Sequence, residues 1–290
     1  MQAFEEIFRS GTDYVDAVTR LLQHCRRAHP TKGVYDTGEL SWWWAEIPRP
    51  TDSLDQLFWY DESGTPVAAV VLIDWRDWVS MNPIVMPDAS PEWVAHVVDR
   101  GLAHAEAAGL GVVELEIDRH DEAIQGVLAD HGFAIKADGF VEAWLDADAR
   151  PPVSDLVDRY RLAGRDETEH LVHPMAPRHH PEIERRLRET PLYRADLDLA
   201  ILTDDDEVAA YALCWYDPET STGLVEPMRT ENEHQRQGLA RHLLTAGVDR
   251  LARVGAARVK IVFEPDNPAS SHLYPDVGFQ PVKYTDIYAR

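Results

Sequence analysis

Residues 235–240 of the chain read QRQGLA, and this stretch decides the fold. It follows an apolar segment typical of a strand, residues 223–228, and opens a helical pattern. A turn from a strand into a helix leaves backbone N–H groups without partners, and the helix dipole favours negative charge there. Gly238 lets an anion approach the backbone closely, while Arg236 and Arg241 supply positive charge. The stretch therefore predicts a turn that binds a phosphate group; the alternative is an ordinary helix start that contains a glycine.

The residues downstream of this turn predict a helix, a strand and a second, shorter helix. Leucines and valines recur at helical spacing from Leu239 to Val254, and Gly255 is typical of a helix C-cap. A strand is predicted over residues 259–263 and a helix over residues 268–274. Pro275 disfavours helical geometry at the residue before it, so we expect the second helix to end early.

The first half of the chain repeats this order. A helix over residues 91–108, a strand over residues 112–117 and a helix over residues 122–129 are expected there. Gly255 lies 146 residues after Gly109, and Gly278 lies 146 residues after Gly132. The constant spacing favours a duplicated domain over a chance echo. Pro151 and Pro152 mark the boundary, which gives domains of residues 1–150 and 151–290.

The QRQGLA stretch resembles the Q/R-x-x-G-x-G/A signature of the GNAT superfamily of acyltransferases, which binds the pyrophosphate of coenzyme A. A second segment, from Asn267 to Phe279, is similar to another signature of that family: an asparagine, a small-residue helix, Leu-Tyr and Gly-Phe. The resemblance implies an α/β (α+β) fold of two tandem GNAT-type domains, each a mixed, mostly antiparallel central sheet flanked by helices. The tandem arrangement resembles that of the mycothiol synthases.

The resemblance also implies acetyl-CoA as co-substrate, with no metal ion, bound by the second domain. The family splays its strands before the phosphate turn, and Pro227, which has no N–H to give a ladder, suits such a place. The residues that we expect to bind the cofactor are Met228, Arg229, Thr230, Gln235, Arg236, Gln237, Gly238, Leu239, Ala240, Arg241 and Asn267. For Asn267 an N-cap of the following helix fits equally well.

Two residues are candidates for proton transfer. The family uses the tyrosine at the position of Tyr274 to protonate the departing thiolate, a role that suits a phenol because it stays protonated at neutral pH. Glu226 resembles a carboxylate that accepts the proton of the attacking amine, directly or through water. The alternatives are a core aromatic for Tyr274 and a solvated strand residue for Glu226.

The first half does not carry these residues. At the offset of 146 residues, Glu92 stands in place of Gly238 and Leu128 in place of Tyr274. A carboxylate repels a pyrophosphate, so we expect the first domain to keep the fold without binding coenzyme A in this way. Eight of the nine tryptophans precede residue 150; core packing is the main interpretation, and a substrate pocket between the domains is the other.

Composition limits the partners. The chain of 290 residues has 51 acidic and 28 basic residues, a net charge of −23, which repels nucleic acid and anionic membranes. An acidic surface that keeps the protein in solution is the main interpretation, and attraction of cationic substrates such as amines is the other. Two cysteines are too few for a disulfide framework, and the N-terminus lacks the layout of a secretion signal, which predicts a cytoplasmic protein.

These observations predict an acetyl-CoA-dependent N-acetyltransferase that acts on a primary amine of a small molecule by direct attack, as a monomer or homodimer. Two alternatives remain. One is a non-catalytic protein that binds or senses acyl-CoA, and the other is an antibiotic-modifying acetyltransferase for a polycationic substrate.

Overall fold

The computed structural model describes residues 4–290, which form twelve strands and seven α-helices in two compact units. Unit 1 comprises residues 4–40, 48–140 and 283–290, and unit 2 comprises residues 41–47 and 141–282. The helices are α1 (Gly11–Ala28), α2 (Thr37–Glu46), α3 (Pro91–Ala107), α4 (Glu122–Asp130), α5 (Ile183–Arg188), α6 (Leu239–Val254) and α7 (Pro268–Val277).

The strands run in two groups along the chain. The first group is β1 (Glu5–Arg9), β2 (Gln56–Tyr60), β3 (Pro66–Asp74), β4 (Val79–Val85), β5 (Val113–Asp118) and β6 (Ala134–Asp146). The second is β7 (Tyr160–Gly164), β8 (Asp198–Thr203), β9 (Val208–Asp217), β10 (Thr222–Thr230), β11 (Arg258–Phe263) and β12 (Gln280–Ala289).

Each unit contains a mixed and mostly antiparallel sheet. In unit 1 the order is β1-β2-β3-β4-β5-β12, and only β4 and β5 run parallel. In unit 2 the order is β6-β11-β10-β9-β8-β7, and only β10 and β11 run parallel. The fold class predicted from the sequence is confirmed.

One strand of each unit extends from the far half of the sequence. The last residues of β12 pair with β5 in unit 1, where Thr285 lies opposite Asp118. The last residues of β6 pair with β11 in unit 2, where Asp146 lies opposite Arg258. The predicted single division between residues 150 and 151 did not include this exchange; as a boundary between duplicated domains it stays a prediction.

The core of unit 2 lies between the sheet and helix α6. Apolar residues recur along one side of α6, and Leu243, Leu244, Val248 and Leu251 are all within 1% of complete burial. They pack against strand residues such as Val259 and Ile261. Burial of these side chains stabilises the helix with roughly 1.5–3 kcal/mol for each residue. This packing fixes the start of α6 relative to β10.

Unit 1 repeats the arrangement with α3 against β3 and β4. The glycines at the 146-residue offset share a conformation: Gly109 and Gly255 both have positive φ at the end of the longer helix, as do Gly132 and Gly278 after the shorter one. An L-residue with a side chain disfavours this left-handed region, so the repeated glycines serve the same turn in both units.

Most of the tryptophans that precede residue 150 take part in packing. Trp59 belongs to the core of unit 1, and Trp42 belongs to an apolar cluster of unit 2. Both cysteines are buried free thiols. Within residues 4–290 no helix has the length and apolar character required to cross a membrane.

Candidate functional site

Strands β10 and β11 separate in the middle of unit 2. Their parallel pairing covers only Thr222 to Leu224, although β10 continues to Thr230. The antiparallel pairing of β10 with β9 is also irregular between Val225 and Met228, where Glu226 and Pro227 interrupt the register. Proline has no N–H to donate to the ladder, which accounts for an interruption at this place. The strands therefore part at the point predicted from Pro227.

The interrupted segment is anchored from the neighbouring strand. The indole N–H of Trp215, on β9, donates a hydrogen bond of 2.7 Å to the carbonyl oxygen of Glu226. A buried indole needs such an acceptor, and here the bond fixes the backbone of the bulge. Glu226 as a whole is half-buried, and its carboxylate oxygen Oε2 is buried.

The loop that leads from β10 into α6 has the backbone conformation of an anion-binding nest. Arg236 and Gly238 both have positive φ, of 60° and 80°, with Gln237 between them. No side chain caps the N-terminus of α6. Successive amides in such an arrangement point to one side, and together with the helix dipole they attract an anion.

Space in front of the loop is open. A Cβ built on Gly238 would meet no heavy atom within 4 Å, so the positive φ, not crowding, explains the glycine. Leu239 is buried in the core and contributes only its backbone to the turn, while Ala240 is half-buried. A group that approaches the amides of residues 236–240 therefore meets no side chain at Gly238.

Several predicted side chains of the loop already have partners within the protein. Arg159 donates a hydrogen bond to the side-chain oxygen of Gln237, and Gln235 donates to the carbonyl of Thr230 at 3.4 Å. Arg241 forms an ion pair of 3.1 Å with Asp276. Arg236 is exposed. The backbone amides of the loop, more than these side chains, are thus available to an anion.

The last residues of β10 lie along the opening. Met228 packs against the core of unit 2, and Arg229 lies 3.4 Å from Glu231. The hydroxyl of Thr230 is buried and has no hydrogen-bond partner. A buried hydroxyl without a partner costs free energy, so its position indicates a group that a ligand can satisfy.

Helix α7 differs from the sequence prediction. It continues through Pro275 to Val277, whereas the sequence predicted an early end after Tyr274. Both ends of the helix are fixed: Asn267 caps the first turn, and the N–H groups of Gly278 and Phe279 bond to carbonyls of the last turn. These bonds stabilise the helix against the loss of one N–H and the steric preference imposed by Pro275.

Asn267 has the capping role that was one of its two interpretations. Its side-chain oxygen accepts hydrogen bonds from the N–H groups of Ala269 at 3.1 Å and Ser270 at 3.5 Å. The side chain is exposed, and its amide nitrogen is not used by these bonds. The role in binding pantetheine that the resemblance implies stays a prediction.

The phenol of Tyr274 is packed in the core and is affected by the negative charge of Glu226. The ring of Tyr274 packs against Phe263 and Phe279, with centroid distances of 5.3 and 6.3 Å. Burial, and to a smaller extent the negative charge of Glu226, raise the pKa of the Tyr274 phenol to about 12. The phenol therefore holds its proton throughout the neutral range. The fold brings a phenol and a carboxylate that are 48 positions apart in sequence within electrostatic range of each other.

The corresponding turn of unit 1 differs. Helix α3 begins after Ser90, whose hydroxyl accepts a hydrogen bond from the N–H of Trp93 at 3.3 Å, and Pro91 occupies the first helical position. Glu92 adds a negative charge to the first turn. A capped and acidic helix start is unfavourable for a diphosphate. The prediction that unit 1 does not bind coenzyme A in this way is consistent with these contacts and stays a prediction.

Some contacts of the site were absent from the sequence analysis. These are the bond from Trp215 to Glu226, the bond from Arg159 to Gln237 and the ion pair of Arg241 with Asp276. Each joins residues from different elements. Only the ion pair had a signal in the sequence, because Arg241 directly follows the first motif and Asp276 lies within the second.

Comparisons with known proteins agree with this geometry. The model of the acetyltransferase (GNAT) family matches residues 164–279. No sequence among the curated proteins matches the chain at a significant level. Among solved structures, a tandem GNAT protein from the clavulanic acid biosynthesis pathway is similar with a TM-score of 0.71 and 14% identity, over 99% of this chain and 98% of that one.

Two further structures resemble the chain over nearly its whole length. A GCN5-related N-acetyltransferase from Sphaerobacter thermophilus has a TM-score of 0.62 and 16% identity, over 100% of this chain and 96% of its own. A GNAT-family acetyltransferase from Colwellia psychrerythraea has a TM-score of 0.60 and 12% identity, over 99% of both chains. At such identities the structures establish the fold, and the family match establishes the domain. Residues 164–279 therefore match the GNAT acetyltransferase family, and the chain has the fold of tandem GNAT proteins.

Proposed function

We propose that unit 2 transfers an acetyl group from acetyl-CoA to a primary amine of a small molecule, by direct attack of the amine. Membership of the GNAT family implies acyl transfer in general. One observation carries the finer proposal: β10 stops pairing with β11 just before Glu226, whose charge acts on the phenol of Tyr274, and β10 then leads to an uncapped helix start at Gly238.

The residues present fit acetyl-CoA. The nest around Arg236 and Gly238 offers amides to a diphosphate, and the space before Gly238 is open. The buried hydroxyl of Thr230 offers a hydrogen bond along the opening. The candidate ligands are Met228, Arg229, Thr230 and Asn267 for the pantetheine arm and the residues from Gln235 to Arg241 for the phosphates.

In this proposal, bound acetyl-CoA supplies an activated thioester at the end of the opening. Glu226, directly or through a water molecule, accepts a proton from the ammonium or amine of the acceptor. Tyr274 donates its proton to the sulfur that leaves, a role supported by a pKa that keeps the phenol protonated. Positioning of the two substrates contributes most of the acceleration, because no residue of the protein needs to form a covalent intermediate.

The acceptor that we propose is cationic in its resting form. A net charge of −23 attracts amines and repels nucleic acid and anionic lipid, so neither nucleic acid nor a membrane is the expected partner. The same charge favours polycationic antibiotics as a second class of acceptor. Action in the cytoplasm, as a monomer or homodimer, belongs to the proposal as well.

Turnover and binding measured together test the proposal. Release of free thiol is followed with a panel of small amines and polycationic antibiotics, and binding of acetyl-CoA is measured by calorimetry. We expect Tyr274→Phe and Glu226→Gln each to lower kcat by about 10² or more, since general acid–base groups contribute on this scale. The dissociation constant for acetyl-CoA should stay within about twofold of that of the parent protein.

Tyr216→Phe is the matched control, because Tyr216 is another partly buried phenol packed against the same core. It should turn over like the parent protein. Equal kcat for the parent protein and Tyr274→Phe would refute the role of the Tyr274 phenol as proton donor. Binding of acetyl-CoA without thiol release for any amine would instead support a sensing protein and refute transfer.

A further inference from the structure

The segment that connects β6 to β7, residues 147–159, lies along helix α6 of unit 2. In the C-terminal half of the helix, Asp249 accepts a hydrogen bond of 3.1 Å from Nε of Arg150. In the first turn of the helix, Nδ1 of His242 lies 2.5 Å from the carbonyl oxygen of Ser154. The connecting segment therefore runs antiparallel to α6 and approaches the start of the helix as it proceeds.

The end of the connecting segment is bonded to the loop that leads into α6. The hydroxyl of Tyr160, the first residue of β7, lies 2.9 Å from Nδ1 of His234 in that loop. Tyr160 is buried and belongs to the core of unit 2. Arg159 donates a hydrogen bond to the side chain of Gln237, which lies between the two residues of positive φ. Two adjacent residues thus join the connecting segment to the anion turn.

The guanidinium of Arg159 is held beside this turn without being neutralised. It lies 5.0 Å from the centroid of the Tyr160 ring, a distance typical of a cation–π contact. Its bond to Gln237 is with a neutral amide and uses one of its five N–H donors. In the part of the chain that the structure describes, Arg159 forms no ion pair with a carboxylate. The side chain therefore keeps its full charge and several donors for a ligand.

Other arginines of the same region are paired with carboxylates. Arg241 forms an ion pair of 3.1 Å with Asp276, and Arg161, two residues after Arg159, forms one with Asp206. An added anion is repelled by the carboxylate of such a pair, which offsets its attraction to the guanidinium. In a protein with a net charge of −23, an exposed guanidinium without a carboxylate is a favourable place for an anion.

A purely structural role accounts less well for Arg159. The connecting segment is already held by the contacts of Arg150, Ser154 and Tyr160. A hydrogen bond between an exposed guanidinium and a neutral amide adds little to the free energy of folding, because both groups can bond to water instead. The position of the charge beside the turn is the feature that this role leaves unexplained.

We propose that Arg159 is a further ligand of the phosphate groups of acetyl-CoA, supplied from outside the loop and helix α6. This inference rests on the function proposed for unit 2. The backbone amides of the nest contact the diphosphate, and the guanidinium of Arg159 contacts a phosphate oxygen from the side of β7. Coenzyme A offers the same chemistry in its diphosphate and in its 3′-phosphate, so the test includes a ligand that lacks the second.

Calorimetric titration of the full chain with acetyl-CoA tests the proposal. Arg159→Gln removes the charge, and we expect it to weaken binding about tenfold at low ionic strength, as loss of a charge-assisted hydrogen bond does. Because the lost interaction is electrostatic, the difference from the parent protein should shrink in high salt. The matched control is Arg161→Gln, which removes the same charge from an exposed position of β7 and should bind within about twofold of the parent protein.

Two further measurements separate a contact with phosphate from an effect on the loop. Arg159→Lys keeps the charge and should recover most of the affinity that Arg159→Gln loses. Coenzyme A and 3′-dephospho-coenzyme A are then compared in the parent protein and in Arg159→Gln. If Arg159 contacts the 3′-phosphate, the preference for coenzyme A falls in the variant; if it contacts the diphosphate, both ligands weaken equally. Thermal unfolding without ligand checks that each variant is folded.

Three outcomes would overturn the proposal. The first is equal affinity of Arg159→Gln and Arg161→Gln for acetyl-CoA. The second is a loss of affinity in Arg159→Gln that is the same at low and high salt, and the third is an equal loss in Arg159→Lys. If the parent protein binds acetyl-CoA and one of these outcomes is found, the function proposed for unit 2 stands without this ligand. No binding by the parent protein would refute both.

Discussion

Replacement of Gly238 by alanine separates the role of backbone conformation from that of packing. Gly238 has a φ of 80°, in the left-handed region, and its Cβ direction is open. The cost to the free protein is therefore conformational strain alone, about 1–2 kcal/mol for an L-residue. For a unit of this size that corresponds to a fall in Tm of about 2–8 °C. The new methyl group also projects into the space where the diphosphate is proposed to approach the amides.

Gly255→Ala is the control for this prediction. Gly255 has a φ of 113° at the opposite end of the same helix, and a Cβ there would lie 2.7 Å from the hydroxyl oxygen of Tyr216. Its loss of stability should equal or exceed that of Gly238→Ala. Thermal unfolding without ligand gives the Tm of each variant, and calorimetry gives the dissociation constant for acetyl-CoA.

We expect Gly238→Ala to weaken acetyl-CoA binding by about tenfold or more and Gly255→Ala to leave it unchanged. The reasoning would be refuted if both variants bound equally, whether weakly or tightly. Equal weakening would mean that affinity follows the stability of unit 2. Equal tight binding would mean that the turn at Gly238 does not contact the ligand.

Three further predictions concern the same site. Asp276→Asn releases Arg241 from its ion pair and should raise the affinity for acetyl-CoA about two- to fivefold at low ionic strength, with the gain lost in high salt when calorimetry is repeated there. Thr230→Val removes a buried hydroxyl that has no partner, so thermal unfolding should show equal or slightly higher stability, while acetyl-CoA binds more weakly. Tyr274 has a folded pKa of about 12, above its ordinary value of about 10, so the unfolded chain loses this proton first as pH rises. The contribution of the Tyr274 phenol to the free energy of unfolding is complete below a pH of about 10 and is lost as the pH approaches about 12. Urea unfolding across this range should therefore show a smaller decline in the free energy of unfolding for Tyr274→Phe than for the parent protein.

The elements that carry the motifs were predictable because their signals are local. Helix α6 begins at Leu239 and ends at Val254 as the apolar spacing and Gly255 indicated. Strand β11, Arg258–Phe263, also covers the residues 259–263 that its apolar run indicated. In each case a helix cap or turn residue coincides with the end of a periodic pattern.

The prediction for helix α7 was too short because the preference of the residue before a proline was outweighed by caps and packing. The residue before a proline avoids helical geometry, and Tyr274 stands before Pro275. In the folded chain the caps at Asn267 and Gly278 and the packing of Tyr274 against Phe263 favour helix over the whole segment. Helix α1 was not predicted, although Tyr14, Val18, Leu21 and Cys25 recur along one face.

The site itself was only partly predictable. Sequence motifs named Glu226, Gly238 and Tyr274, but they do not show which side chains already have partners. Arg241 and Gln237 were expected to bind the cofactor, and the structure pairs them with Asp276 and Arg159. Contacts between distant elements depend on the three-dimensional arrangement, for which the sequence pattern carries no local signal.

The exchanged strands make each unit depend on the other half of the sequence. Unit 1 contains residues 283–290, and its strand β5 has no antiparallel partner until the last residues of the chain are made. Unit 2 in turn relies on residues 141–146 for the partner of β11. Neither half of the chain contains all the strands of its own sheet. A protein made from one half alone would therefore expose an unpaired strand and be prone to aggregation. A role of the first half in completing the second sheet is compatible with its glycine turns at the same offset and with a capped, acidic helix start in place of the turn at Gly238.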